Sequence, residues 1–150
     1  MQVGGISTKW SVVQAHTASA EELDAHGAVL TEVIDRWIDD ACRAYLAQCT
    51  VLEEMRARDA LELECCHDAI DPGALAGGPT SVVVSATATE VWPDAFAISV
   101  RIRPLDGASE RPLNVACDIR LRDATGTPVA LGNEVRDELI ALEHAARHYN

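Results

Sequence analysis

The chain has 150 residues, 48% of them hydrophobic, and its 12 Lys and Arg stand against 24 Asp and Glu for a formal net charge of −12. That length suits one domain with a core of its own, so residues 1–150 are read as a single domain. The charge speaks against a nucleic-acid partner, which asks for a basic stripe; no run nears the ~18 apolar residues of a membrane span, and MQVGGISTKW lacks the basic start and apolar run of a secretory leader, so a cytoplasmic protein is expected.

Thr8–Ala18, TKWSVVQAHTA, has the β-branched and aromatic content of a first strand. Asp24 follows, three residues before Gly27, and a long amphipathic pattern then begins. A helix is predicted from near Leu30–Thr31 to near Cys49. Ile34, Trp37, Ile38, Ala41, Tyr45 and Cys49 recur on one face, while Glu32, Asp35, Arg36, Asp39, Asp40 and Arg43 make a wet one. Thr50-Val51-Leu52-Glu53 has the form of a capping box, which predicts a second helix to about Cys66, stopped by Asp71-Pro72-Gly73. One unbroken helix is the competing reading.

Beyond Pro79 period-two alternation takes over. Strands are predicted over Ser81–Val91, Ala95–Arg103 and Leu113–Arg122, each with one apolar and one polar face, as in an antiparallel sheet covered on one side. Trp92-Pro93-Asp94 and Ala124-Thr125-Gly126-Thr127 read as tight connections and Asp106-Gly107 as a looser one. Val129–Leu131 reads as a short last strand. A terminal helix is expected from Asn133 as its N-cap, with Val135, Leu139, Leu142 and Ala146 as the apolar stripe. The layout is α+β.

Several residues are candidates for chemistry. A carboxylate on a glycine turn before a helix can simply cap it. It can also sit beside free backbone N–H donors and attack a polarised carbonyl, or activate a water that does. For Asp24 the local pattern leaves both open. His26, within the turn, is read as a solvent-facing loop residue rather than an acid or base, and His16 as a sheet-face residue. His144 and His148 are placed in the last turns of the terminal helix, where positive charge suits the helix dipole.

The five cysteines, Cys42, Cys49, Cys65, Cys66 and Cys117, are an odd number without framework spacing and read as reduced thiols. Cys65-Cys66-His67 lacks the second Cys/His pair of a structural zinc site, so no metal is expected there and the segment reads as a helix end. Asp39 and Arg43 are spaced to pair on the surface, and Asp35, Asp39 and Asp40 read as a solvated face. Arg101, Arg103, Arg120 and Arg122 fall on the wet face of the sheet. They suit phosphates, an acidic surface or an oligomer contact, and the sequence does not choose.

Joined to the segment Leu23–Tyr45, this element order resembles the hotdog fold, specifically the 4-hydroxybenzoyl-CoA thioesterase-like acyl-CoA thioesterases. In that family a D-x-x-G-x-V turn feeds a central helix with an R-W-x-x-x-x-x-R-x-Y-like pattern. Here Asp24-Ala25-His26-Gly27-Ala28-Val29 matches the turn, and Arg36-Trp37, Ala41, Arg43 and Tyr45 match the helix. The resemblance implies a curved antiparallel sheet wrapped around a long central helix, here with an extra helix after it and a C-terminal one.

The resemblance also implies that Asp24 is the catalytic carboxylate, as nucleophile or general base, and that the Thr31 N–H polarises the thioester carbonyl. Gly27, Ala28, Val29, Leu30 and Thr31 would bind the substrate, a small-molecule acyl-CoA or acyl-carrier-protein thioester. No cofactor is implied beyond the coenzyme A that the substrate carries. A homodimer, or a dimer of dimers, with sites at the subunit interface is implied, with neither nucleic acid nor membrane as partner. Many members have G-H-V-N-N after the aspartate, where this chain has Gly27-Ala28-Val29-Leu30-Thr31, then Val33 and Ile34. That makes a greasier acyl pocket, and the loss of polar residues motivates an alternative, a non-hydrolytic acyl-binding or scaffolding hotdog protein. A hydratase or dehydratase would need a histidine paired with a carboxylate, and no such pair is read on the central helix.

Overall fold

Alternating apolar residues in the middle of the chain build a sheet whose covered face takes the apolar stripe of one long helix. The computed structural model describes residues 10–75, 81–105, 112–142 and 147–148. In order come β1 (Val12–Thr17), a 3-10 turn (Ala20–Glu22), α1 (Thr31–Leu46), α2 (Thr50–Asp59), β2 (Glu62–Cys66), β3 (Ser81–Val91), β4 (Ala95–Pro104), β5 (Leu113–Arg122), β6 (Pro128–Val129), α3 (Gly132–Leu142) and β7 (Arg147–His148). The sheet runs β1-β3-β4-β5-β2, with β6 on β5 and β7 on β3. Pairing is antiparallel except for β7, which lies parallel to Glu90 and Val91.

The α1 stripe of Ile34, Trp37, Ile38, Ala41 and Tyr45 is buried, and it shares one apolar cluster with Val84, Phe96, Ile98, Val100, Ile119 and Leu121 of the sheet. Each large side chain so buried contributes about 1.5–3 kcal/mol. Trp37 also stacks on His16, with ring centroids 5.5 Å apart. The β4 alternation holds from Ser99 onward. Before it Ala95 and Ala97 are buried as well as Phe96 and Ile98, next to a register shift between Ala88 and Glu90.

Five sequence expectations are corrected. The second helix does not reach Cys66. It ends at Asp59, Ala60 turns left-handed at φ 52°, and residues 62–66 become β2 on the edge beyond β5. Leu63 lies opposite Leu121 there, so sheet pairing overrides the helical continuation. Cys65 and Cys66 are therefore strand residues. The Thr50–Glu53 capping box does not form either. Glu53 bonds Arg56 instead, at 3.0 and 3.2 Å. The cap comes from α3, where the Glu138 carboxylate accepts the Val51 and Leu52 N–H groups at 3.0–3.3 Å and the Thr50 hydroxyl at 3.0 Å. An anion at a helix N-terminus is favourable whatever its position in the chain.

The terminal helix starts one residue early, at Gly132, and His148 lies on β7 rather than in a last helical turn. The short last strand is Pro128–Val129 rather than Val129–Leu131. The Asp106-Gly107 connection, His144 and Ala146 fall outside the described residues, as do Thr8 and Lys9. Among the described residues no helix is long and apolar enough to cross a membrane.

Candidate functional site

The chain enters α1 through a closed turn. A bridge between Leu23 and Val29 sets its neck. Inside it the Asp24 N–H donates to the Ala28 carbonyl (2.8 Å) and the Gly27 N–H to the Asp24 carbonyl (3.1 Å). The Asp24 side chain completes the turn, its Oδ1 accepting the N–H groups of His26 (2.8 Å) and Ala28 (3.0 Å). Gly27 sits at φ 80°, a conformation that glycine takes at little cost. A Cβ there would meet nothing within 4 Å, so backbone conformation rather than space calls for glycine.

These bonds settle what Asp24 does locally. It ties its own turn and does not cap α1, whose N-cap is Leu30. The Ala28 N–H, and after it the His26 N–H, hold the carboxyl below the usual carboxylate range, so it is ionised at neutral pH. Among the described residues no hydrogen-bond donor reaches Oδ2, and the side chain is partly exposed.

Two further bonds fix the approach to the helix. The Leu30 N–H donates to the Glu22 carbonyl (2.9 Å) and the Val29 N–H to the Leu75 carbonyl (3.3 Å). Arg36 returns from the helix to the Glu22 carboxylate at 3.2 Å. Within α1, Val33 and Ile34 both donate back to the Leu30 carbonyl, which leaves the Thr31 and Glu32 N–H groups outside the helix ladder at the positive end of its dipole.

The segment Asp24–Thr31 is thus one continuous feature, but its side chains divide. Ala28 and Val29 are buried, Val29 in the core; Gly27, Leu30 and Thr31 are half-buried; Ala25 and His26 face solvent, as expected for His26. A cleft of about 550 Å³ lies further along α1, between Asp39, Cys42, Arg43 and Leu46 on the helix and Glu62, Leu63 and Cys65 on β2. Asp39 and Arg43 pair across its rim at 2.9 Å, as their spacing predicts.

Two arrangements were not read from the sequence, because their members are far apart in the chain. His67, just after β2, places Nε2 3.6 Å from Asp35 Oδ1 on α1. Its Nδ1 lies 2.7 Å from the Asp68 carbonyl, so it carries a proton and donates. The pair is ionic when Nε2 is protonated as well. Only Asp35 of this pair lies on the central helix.

The second is a group of thiols. The sulfurs of Cys42 on α1, Cys65 on β2 and Cys117 on β5 all lie within 4.8 Å of one another, with Cys65 and Cys42 at 4.0 Å. Hydrogen bonds from Cys117 and Cys42 hold the Cys65 thiol down at about 3. Contact with Cys117 and Cys65, together with burial, pushes Cys42 far up. Cys117 is drawn down by Cys42 but pushed up more by Cys65 and burial, to about 12.

Of the arginines on the open face, Arg122 pairs with Glu64 at 3.1 Å and Arg120 approaches Asp94 at 3.8 Å. Arg101 and Arg103 are exposed.

No model of a protein family matches the chain, and no curated protein matches it significantly. Solved structures do. The 1,4-dihydroxy-2-naphthoyl-CoA thioesterase Slr0204 of Synechocystis superposes with a TM-score of 0.59 at 13% identity, covering 86% of this chain and 94% of its own. The probable thioesterase YbaW of Escherichia coli gives 0.65 at 13% identity over 87% and 98%. The hypothetical protein SAV2348 of Staphylococcus aureus, solved in complex with CoA, gives 0.66 at 11% identity over 95% and 89%. The chain has the hotdog fold that its sequence resembles.

Proposed function

We propose that the chain is a hotdog-fold thioesterase that hydrolyses an acyl-CoA or acyl-carrier-protein thioester. One observation carries the reading: an ionised carboxylate is pinned on a glycine turn that runs straight into the open N-terminus of the central helix. Similar structures named as thioesterases support it.

In this reading Oδ1 of Asp24 keeps its two backbone bonds, and Oδ2 attacks the thioester carbon or takes a proton from the water that does. The carbonyl oxygen gathers charge toward the Thr31 N–H and the helix dipole, which are already oriented and lose nothing by reorganising. Where water attacks, the proton taken by Oδ2 passes to the departing thiolate and the acid is released. Where Oδ2 attacks, the thiolate leaves an acyl–Asp24 anhydride, which a water then hydrolyses, freeing the acid and giving the thiolate its proton. Gly27, Ala28, Val29, Leu30 and Thr31 form the substrate-binding segment, and the buried Ala28 and Val29 give its inner side an apolar character. Two copies of the chain would complete each site at their interface, and no cofactor takes part beyond the carrier thiol of the substrate.

The test is Asp24→Asn beside Asp24→Ala, assayed for free-thiol release from a panel of aromatic, short and long acyl-CoAs. Turnover falls by on the order of 10²- to 10⁴-fold with circular dichroism unchanged. Wild-type rates in both variants would remove Asp24 from the chemistry. If the wild type binds acyl-CoA without releasing thiol, the chain is an acyl-binding or scaffolding protein instead. The His67–Asp35 pair favours a second enzymatic reading, hydration of an unsaturated acyl thioester, and a hydration assay on an enoyl-CoA separates it from hydrolysis.

A further inference from the structure

We propose that Cys42, Cys65 and Cys117 form a three-thiolate site for a thiophilic d10 cation, Zn²⁺ or Cu⁺, opening on the cleft between α1 and β2. Each sulfur comes from a different element, a helix, an edge strand and a central strand, and the three point to one spot. The spacing suits a metal. With metal–sulfur bonds of about 2.3 Å, sulfurs around one tetrahedral or trigonal ion stand about 3.8–4.0 Å apart. Cys42 and Cys65 are already 4.0 Å apart, and no pair exceeds 4.8 Å. Closing on an ion needs shifts of well under an ångström.

The donor set is all sulfur, which selects thiophilic ions over the hard cations that oxygen ligands hold. Access is also built in. Cys42 and Cys117 are buried, but Cys65 is exposed on the edge strand, and both Cys42 and Cys65 line the cleft. An ion can enter there, and a fourth ligand such as water has room to bind. Zn²⁺ would take that fourth ligand, whereas Cu⁺ is satisfied by three sulfurs.

Two other readings explain less. A disulfide needs its sulfurs at about 2.05 Å, and it would use two cysteines where three converge. Plain core packing accounts for Cys42 and Cys117 but not for the exposed Cys65 closing the triangle. Cys66 is an internal control, since it is the next residue on the same strand, exposed, and outside the cluster.

The test uses the full reduced chain, freed of metal and kept anaerobic. It is titrated with Zn²⁺ against a chromophoric chelator and separately with Cu⁺ against a Cu⁺ chelator. Wild type and Cys66→Ser bind one ion per chain, and Cys65→Ser weakens that binding at least 100-fold. Because Cys65 is exposed, its variant keeps the fold even where Cys42→Ser and Cys117→Ser do not. Co²⁺ serves as a reporter, giving sulfur-to-metal charge-transfer absorption in wild type that Cys65→Ser lacks. Failure to hold either ion more tightly than Cys65→Ser does, or equal loss in Cys66→Ser, overturns the proposal. The readout is binding and leaves the Asp24 reading untouched.

Discussion

Asp24–Ala28 and Asp123–Thr127, DAHGA and DATGT, fold into the same turn. In each the aspartate N–H donates to the carbonyl four residues on, at 2.8 and 2.9 Å, and the glycine N–H donates to the aspartate carbonyl, at 3.1 and 2.9 Å. In each the aspartate Oδ1 accepts the N–H groups two and four residues on, at 2.8–3.0 Å. The glycines share a positive φ, 80° and 83°. Both carboxyls are held below the usual carboxylate range, Asp24 first by the Ala28 N–H and Asp123 first by the Thr125 hydroxyl. The second turn merely joins β5 to β6, while the chain runs on from the first into the start of α1. The D-x-x-G pattern is therefore a recipe for a turn, and neither its bonds nor its lowered pKa marks a catalytic residue. The helix N-terminus that follows is the feature only the first turn has.

The pair supplies its own control. Asp24→Asn cuts thioester turnover by on the order of 10²- to 10⁴-fold, about 3–5 kcal/mol, whereas Asp123→Asn stays within about twofold of wild type. Equal losses in the two variants would mean that the turn, not the carboxylate, matters. Gly27→Ala and Gly126→Ala each cost about 1–2 kcal/mol of stability, read from urea unfolding, because both positions are left-handed; a clear inequality would break the equivalence of the turns.

Thr125→Ala removes a hydroxyl bond of 2.6 Å that the first turn lacks. It costs about 0.5–1.5 kcal/mol, while His26→Ala, whose turn bond is made by the backbone, changes stability by less than about 0.5 kcal/mol. The smallest effect is in acid. A depressed carboxyl stabilises the fold above its unfolded pKa, and that contribution is lost as pH falls through the folded value. Asp24→Asn and Asp123→Asn should therefore each lower stability near neutrality and flatten its fall with acid from the ordinary carboxylate range downward. Hydrolysis, if Asp24 drives it, holds steady through that ordinary range and falls only below it.

What the sequence discloses follows from how local each feature is. The helix of residues 31–46 and the strands over 81–91, 95–104 and 113–122 are legible because their periodicity is unbroken. The Asp24 turn is legible because its donors and acceptors lie within five residues of one another. Residues 62–66 are too short to declare a strand after a helical signal, and they become one only when Leu63 meets Leu121. The capping-box pattern points to Glu53, three residues from Thr50, whereas the α2 cap lies in Glu138, far along the chain. His67 with Asp35, and the three thiols, are assembled only when β2 is laid along α1 and β5.

The Glu138 carboxylate carries one more consequence. Because it holds the first amides of α2 from its place on α3, opening of α3 leaves those amides without their acceptor. β2 follows α2 after only two residues, which joins the strand carrying Cys65 closely to the capped helix. A carboxylate on α3 is thereby linked, through α2 and β2, to a thiol cluster at some distance along the chain.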